Sequence, residues 1–352
     1  MEIDFHHAAT YVAARIAGFS HENADIIAYS AQYVDDATSS GAICFDNKAM
    51  YSRISSAHKS LDLDNMNNAE NHVVWLPFHF LPGNGRLGVG RDPTGDFINK
   101  IVCGPDSPIA QEMVAAAIRD QGKPYSLHRL GITMHVYADT WAHQGFAGVL
   151  NEINEVEHAE ETSDSGQFAG GLPSFLNGIL DDAVPPLGHG RAYILPDMPF
   201  LSWQYLNGKN QTIRHDNTKN FCDAANALCI AMKRYIQENP AASVSGIGPD
   251  DMEVIRNLFS NQTTKDGKKR HKAWLAAIEA GKFSFGKATP SYAEDGKQSW
   301  KAQALGTSTD MPVYTYRDTF LNSNWKLFHD ALQLHRLTVL HDILPEYGIC
   351  AA

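Results

Sequence analysis

The sequence lacks the cysteine pattern of a disulfide-bonded domain or of a zinc finger. Its five cysteines are odd in number, lie scattered along 352 residues and include no CxxC pair. Both kinds of site need thiols that are paired or closely spaced, so neither organises this chain. We therefore expect reduced thiols in a cytosol-like setting.

Long apolar runs and a secretion signal are also missing. No stretch reaches the roughly 18 apolar residues that a membrane-spanning helix requires. The first ten residues, MEIDFHHAAT, contain no basic region followed by an apolar run. The sequence thus predicts a soluble protein without a transmembrane segment, either cytoplasmic or exported without a conventional signal peptide.

Positive charge is scarce, whereas histidine is abundant. The chain has 29 lysines and arginines against 40 aspartates and glutamates, and its formal net charge is −11. This balance gives no strong nucleic-acid signal, because a surface that binds nucleic acid is usually basic. It is weaker evidence against a nuclease, because bound divalent cations would reverse the field inside a cleft. The 16 histidines supply the commonest metal-binding side chain.

Helical spacing of apolar residues dominates the chain and predicts an all-α, multi-helix fold in a single domain over residues 1–352. The predicted helices lie at about 8–17, 22–36, 107–120, 127–149, 216–238 and 314–344. Residues 72–82, which include Pro77, favour a short strand or a buried extended segment. Residues 239–312 form a loop-rich, motif-poor stretch, and its basic run at 265–272 is interpreted as an exposed loop or helix end.

The central motif is formed by His135, Asp139 and His143, which follow one another at intervals of four residues on a predicted helix. Residues i and i+4 lie about 6 Å apart on nearly the same helix face, so His135 and Asp139 can share one ion. His135 and His143 lie about 12 Å apart along the axis, too far for one ion to bind both. If all three residues are ligands, the site holds at least two ions, with Asp139 in the centre.

The neighbours of Asp139 favour a metal ion as its partner. The surrounding stretch is dominated by apolar and aromatic side chains, including Met134, Val136, Tyr137 and Trp141. A carboxylate in such surroundings needs a partner, and a metal ion supplies one. The alternative is an amphipathic helix whose polar stripe faces water.

Two ions need more ligands than one helix provides, because zinc sites usually take four donors each. Further candidates come from distant parts of the chain. For two pairs of adjacent residues, the sequence does not decide which member of the pair is the ligand. The candidates are His6 or His7, Asp35 or Asp36, His79, His189 and Asp197. Each could instead be an ordinary structural residue, and the other histidines are treated as structural.

The order of these residues resembles that of the zinc-dependent phospholipase C and P1-type nuclease superfamily. The shared order is an early histidine, an aspartate, a histidine, HxxxD with a further histidine, and a later histidine and acid. The resemblance implies a helical domain in which three zinc ions lie in a cleft and phosphoesters are hydrolysed. Three features differ: His143 follows Asp139 by only four residues, His189 and Asp197 are eight residues apart, and position 1 is methionine.

The resemblance also implies a ligand set for each ion. The first zinc would bind His79, His135, Asp139 and either Asp35 or Asp36. The second would bind Asp139, His6 and the amino terminus of the chain. The third would bind His143, His189 and Asp197. Because Asp35 or Asp36 would orient the attacking water, the candidate catalytic residues are Asp35, Asp36 and Asp139.

Over most of its length the chain resembles more closely an uncharacterised bacterial and fungal family of unknown function. This resemblance rests on an IDFH start, an AYSxQYVDD helix end, the motif HxYADTxxHQGF and a late GH…PD segment. It implies no activity.

The sequence therefore predicts a zinc-dependent phosphoester hydrolase, a phosphodiesterase similar to phospholipase C, with two or three zinc ions. Phospholipid is favoured over nucleic acid as the phosphoester substrate because the net charge is negative. A lipase free in its own cell would be harmful, which makes a secreted effector a subsidiary expectation. The alternatives are a non-catalytic helical protein with a structural metal site, serving as an interaction module, and a metal-free helical interaction protein.

Overall fold

Twelve α-helices provide most of the regular structure in a computed structural model of the chain, which describes residues 1–57, 68–163, 165–168, 170–177 and 184–350. The helices are α1 (Thr10–Ala17), α2 (His21–Asp36), α3 (Asn68–Phe78), α4 (Ile98–Ile101), α5 (Pro108–Arg119), α6 (Ser126–Ala142), α7 (Gly171–Asn177), α8 (Asn217–Ile236), α9 (Pro249–Asn261), α10 (Gly267–Glu279), α11 (Trp300–Leu305) and α12 (Asn324–Leu337). A π-helical segment at Asp4–Ala9 leads into α1. Among the described residues, no helix is both long enough and apolar enough to cross a bilayer.

Five short strands correct the prediction of an all-α fold. They are β1 (Gly41–Cys44), β2 (Met50–Arg53), β3 (Glu157–Glu161), β4 (Ser202–Leu206) and β5 (Thr212–Asp216). β1 and β2 form an antiparallel pair, and β3, β4 and β5 form an antiparallel sheet in that order. Such short strands alternate too briefly between buried and exposed side chains to be recognised by periodicity. The protein is therefore mainly α-helical, with two small sheets.

Four predicted segments differ in the structure, and one of them is the helix predicted at 314–344, which begins only at Asn324 as α12. The stretch at 72–82, predicted as a strand or extended segment, is helical up to Phe78, with Pro77 inside α3. Helix α6 ends at Ala142 rather than near Val149, and Gly145 just beyond it has a φ of +89°, which a helix cannot contain. The stretch 239–312, predicted to be loop-rich, contains α9, α10 and α11.

Helix α6 lies at the centre of the fold. Every residue from His128 to Ala142 is buried, and α2, α5, α8 and α12 pack around this helix. A helix that is buried on all sides carries apolar residues on most of its faces. This explains why α6 lacks a continuous polar face. His135 and Asp139 therefore lie in the core and do not form a polar stripe that faces water.

Gly131 allows α2 to cross α6 at close range. A Cβ atom at this position would lie 2.4 Å from the Ile27 carbonyl oxygen and 2.6 Å from Ser30 Cβ. We expect Gly131→Ala to lower the free energy of unfolding by about 1–3 kcal/mol, because the two backbones must move apart. Urea unfolding measures this difference. Gly122→Ala is the control, since a Cβ there meets nothing within 4 Å and the change should be tolerated.

Buried histidines outside the central motif predict a dependence of stability on pH. Burial lowers the pKa of His128 to about 4, and burial together with the charges of Arg53 and Lys301 lowers that of His329 to about 3. Both rings stay neutral in the folded protein, whereas the unfolded chain binds protons near pH 6.5. The contribution of these neutral rings to the free energy of unfolding is therefore complete above pH 6.5. It is lost as the pH falls towards 4, and for His128 the loss is about 3 kcal/mol.

Urea unfolding of chelator-treated protein between pH 7 and 4.5 measures this dependence. His128→Gln should make the decline shallower, whatever its effect on stability at pH 7. His341→Gln, which replaces a histidine that is exposed to solvent, is the control. A slope that is the same in all three proteins would contradict the assignment to His128.

Candidate metal centre

Histidine and aspartate side chains from several parts of the chain meet beside α6. His6 comes from the π-helical segment, Asp35 from the last turn of α2, His79 from the residue after α3, and His189 and Asp197 from the loop before β4. Together with the ligand atoms of α6, these residues form three groups. Within each group, the ligand atoms all lie within 4.8 Å of one another. These are the amino-terminal group (His6, Asp35 and His135), the central group (His79, His135 and Asp139) and the distal group (His143, His189 and Asp197).

Asp139 occupies the centre of this arrangement, as its spacing on α6 predicts. Its Oδ2 atom lies 3.3 Å from His135 Nε2 and 3.5 Å from His79 Nδ1. Its Oδ1 atom lies 3.2 Å from His6 Nε2. The Asp139 residue is only 1% exposed. One carboxylate is thus shared by imidazoles from the amino-terminal and central groups.

Backbone carbonyls orient four of the histidine rings. Nδ1 of His135 donates to the Ala31 carbonyl at 2.8 Å, and Nε2 of His79 donates to the Ser56 carbonyl at 2.9 Å. In the distal group, the two Nδ1 atoms hydrogen-bond to the carbonyls of His79 and Tyr193, at 2.8 Å from His143 and 2.7 Å from His189. Because a carbonyl only accepts, each of these ring nitrogens carries the hydrogen, and in a neutral ring the other nitrogen keeps its lone pair.

The resulting lone pairs point at one another. His135 Nε2 and His79 Nδ1 lie 3.3 Å apart, and neither has a hydrogen to donate when the rings are neutral. In the described part of the chain, five further buried atoms near them have no hydrogen-bond partner: His6 Nδ1, His6 Nε2, Asp139 Oδ2, His143 Nε2 and Asp197 Oδ1. Buried polar atoms are normally satisfied, and all of these atoms are acceptors except the one His6 nitrogen that carries the hydrogen of the neutral ring, so the cluster fits a cation. These buried groups could therefore hold a metal ion.

Electrostatics keep His6, His189 and Asp139 in their metal-binding forms. Burial and the Met1 ammonium lower the pKa of His6 to about 4, and burial lowers that of His189 to about 4. Burial would raise the pKa of Asp139, but the charges of His143 and of the Met1 ammonium hold it well below its usual range. The rings of His6 and His189 are therefore neutral and this carboxylate is ionised near pH 7, the states in which each binds metal.

The Met1 amino group lies among the same carboxylates. Its nitrogen is 2.8 Å from Asp139 Oδ1 and 3.1 Å from Asp197 Oδ1. Burial alone would lower the pKa of this group, but Asp139, Asp197 and Asp35 raise it to about 11. It is thus an ammonium that donates to Asp139. An ammonium has no lone pair, so this nitrogen must lose a proton before it can bind a metal ion.

The structure separates the two pairs of neighbours that the sequence left open. His6 and Asp35 belong to the groups, whereas His7 and Asp36 do not belong to any group among the described residues. His7 Nδ1 pairs with His271 Nε2 at 2.9 Å. Asp36 accepts hydrogen bonds from Gln32 Nε2 at 3.2 Å and from the Tyr292 hydroxyl.

Two residues of the assembly are partly exposed to solvent. The Asp35 side chain is 31% exposed and that of His189 is 22% exposed, whereas those of His6 and His135 are fully buried. Partial enclosure and the nearby Asp139 carboxylate raise the pKa of Asp35 well above its usual value. A small molecule could therefore approach the groups past Asp35 and His189.

The sequence analysis missed the contribution of α10. Its basic run at 265–272 was predicted to be exposed, but Arg270 and His271 are buried, and Arg270 contacts Asp4 two residues before His6. A signal was present, because Arg270, Trp274 and Ile278 follow one another at intervals of four residues on one helix face.

Comparison with known proteins places the chain in a family. No curated protein and no solved structure matches it. One family model, however, matches residues 1–343, which is nearly the whole chain and includes every residue of the three groups. The chain therefore belongs to DUF6765, a family of unknown function.

Proposed function

We propose that this protein is a zinc-dependent hydrolase of phosphoesters, similar in fold and ligand order to the phospholipase C and P1-type nuclease superfamily. The observation that supports this proposal most is the convergence of His79 Nδ1, His135 Nε2 and Asp139 Oδ2 within 3.5 Å of one another. Three acceptors meet there without a hydrogen between them when the rings are neutral. A divalent cation removes their mutual repulsion.

The donor set favours zinc and at least two ions. Imidazole and carboxylate donors suit zinc and neighbouring transition metals better than magnesium or calcium. Because His135 Nδ1 is bound to Ala31, only its Nε2 is free to bind an ion, so Asp35 of the amino-terminal group, 3.8 Å from that nitrogen, would join the central group at one ion. The distal group shares no residue with them and would bind a second. His6 Nε2 and Asp139 Oδ1, which are 3.2 Å apart, would be the residues that hold a third ion.

The partial exposure of Asp35 and His189 favours catalysis over a purely structural role. Structural zinc sites are closed by four protein ligands, whereas catalytic ones keep a position for water. When bound, zinc would polarise a phosphoryl oxygen and lower the pKa of a water molecule to about 7. Asp35, with its raised pKa and its partial exposure, is placed to accept a proton from that water and to orient it. Gln32 Nε2, 3.4 Å from Asp35 Oδ2, holds this carboxylate in place.

Phospholipid is the substrate class that we favour. The formal net charge of −11 would repel a long polyanion such as nucleic acid, but a single phosphodiester at the surface of a zwitterionic bilayer carries no such penalty.

Metal analysis and hydrolysis assays on the purified chain test the proposal. We expect two or three zinc ions per chain and hydrolysis of bis(p-nitrophenyl) phosphate, with phosphatidylcholine vesicles cleaved faster than single-stranded DNA. Asp35→Asn should lower the rate by about 10²-fold or more, the usual contribution of a positioned acid or base. Asp36→Asn is the matched control, with a much smaller effect. Bound zinc without hydrolysis of any substrate would support the structural alternative instead.

A further inference from the structure

Arg270 makes an unusual set of contacts for a residue that touches no candidate metal-binding atom. Its guanidinium is fully buried on α10. Nε donates to Asp4 Oδ2 at 2.6 Å, Nη1 to the Thr264 carbonyl at 2.8 Å, and Nη2 to the Asp197 carbonyl at 3.3 Å. Nη2 also donates to the Glu2 carboxylate. The guanidinium therefore contacts three separate stretches of the chain.

Two of these stretches deliver candidate metal ligands. Glu2 and Asp4 flank the start of the π-helical segment that carries His6 of the amino-terminal group. Asp197, whose carbonyl accepts from Arg270, supplies its own carboxylate to the distal group. Arg270 is thus bonded to the backbone or the near neighbours of ligands in both groups. The central group, held by α3 and α6, has no such contact with Arg270 among the described residues.

Other contacts of α10 support the same arrangement. His271, next to Arg270, bonds His7, the neighbour of His6. The first turn of α10 lies so close to the chain start that a Cβ at Gly267 would be 2.5 Å from Glu2 Oε2. Helix α10 therefore packs directly against the π-helical segment.

We propose that Arg270 is a positioning residue that holds His6 of the amino-terminal group and Asp197 of the distal group in place for metal binding. The planar fork of the guanidinium donates to two carboxylates and two carbonyls at once, which a lysine ammonium at the same site cannot reproduce. The inference rests on the proposed function only in that it requires metal binding, and it does not depend on the substrate. Residues that orient metal ligands typically change metal affinity by 10–100-fold when they are replaced.

A cobalt titration of the full chain tests this inference. Wild-type protein and Arg270→Lys are freed of metal, titrated with Co²⁺ and followed by absorption in the visible range, and bound metal is counted after gel filtration. For Arg270→Lys we expect 10–100-fold weaker binding of the ions that involve His6 and Asp197, with a changed spectrum. The ion of His79, His135 and Asp139 should bind as in the wild type.

Arg129→Lys is the matched control. Arg129 is also fully buried, on α6, but its ion-pair partner is Asp120 at 3.5 Å, and it contacts no candidate ligand in the described part of the chain. The Arg129→Lys protein should bind Co²⁺ with the affinity and the spectrum of the wild type. Glu2→Gln is the milder test if Arg270→Lys fails to fold, because it removes the charge of one partner of Arg270 and leaves Asp4. We expect the same ions to bind more weakly, but by a smaller factor.

The outcomes separate this inference from the proposed function. If Arg270→Lys, or Glu2→Gln in its place, binds Co²⁺ with wild-type number, affinity and spectrum, Arg270 only supports the fold and the inference is wrong. If the wild type binds no metal, both proposals are wrong. If the wild type binds metal that Arg270→Lys loses but hydrolyses no phosphoester, the inference holds and the proposed function fails.

Discussion

Replacing Asp139 with asparagine is expected to remove bound metal and to lower phosphoester hydrolysis by about 10³-fold or more. Asp139 Oδ2 lies within 3.7 Å of nitrogens from His79, His135 and His143, so a neutral amide would withdraw the negative charge from the centre of the site. Loss of the metal ion costs several kcal/mol of transition-state stabilisation, and each 1.36 kcal/mol is a factor of ten in rate. Metal content per chain and the rate on bis(p-nitrophenyl) phosphate measure the two effects.

Asp251→Asn is the matched control for this change. Asp251 is also a buried carboxylate, 7% exposed, but it accepts hydrogen bonds from the backbone and hydroxyl of Ser284, outside the three groups. The substitution should lower stability while metal content and rate stay at wild-type values. An Asp139→Asn protein that retained its metal would show that this carboxylate is not a shared ligand, and the central group would lose its basis.

Removal of metal by a strong chelator is expected to lower the melting temperature by about 10 °C and to abolish hydrolysis. Without a cation, the lone pairs of His79 and His135 face each other and the buried Asp139 Oδ2 has no hydrogen-bond partner among the described residues. A metal present at 1,000 times its dissociation constant stabilises the folded state by about 4 kcal/mol. Each kcal/mol is worth about 2–4 °C in a large domain.

Addition of Zn²⁺ should restore both the melting temperature and the activity, whereas Mg²⁺ should restore neither, because imidazole donors bind it poorly. Differential scanning calorimetry before and after dialysis gives the first value, and the hydrolysis assay gives the second. A melting temperature that the chelator leaves unchanged would favour a metal-free helical protein. In that case the Met1 ammonium would be the cation that balances Asp139 and Asp197.

Local spacing made part of the candidate site predictable. His135, Asp139 and His143 lie four residues apart, and an α-helix places such residues on one face whatever surrounds it. The apolar neighbours of this motif also indicated correctly that the helix is buried. The short strands were not predictable in the same way, because β4 and β5 have only five residues each, too few for periodicity to distinguish a strand from a loop.

No sequence pattern could decide which of two adjacent residues faces the site. His6 and His7 carry the same side chain, as do Asp35 and Asp36, and neighbouring helical positions differ by about 100° in direction. Which of each pair points inward depends on how the π-helical segment and α2 pack against α6. Likewise, Arg270 in its basic run looked exposed until the packing of α10 against the start of the chain placed it opposite Asp4.

The sequence by itself determined the helical character of the chain, the burial of α6 and the spacing of its three polar residues, because these follow from periodicity along one element. Only the tertiary structure decided which distant side chains meet Asp139 and which nitrogen of each ring faces inward. The physical reason is that the backbone carbonyls of Ala31 and Ser56, on other segments, accept hydrogen bonds from the ring N–H groups of His135 and His79. The nitrogen lone pairs of the two rings therefore face each other.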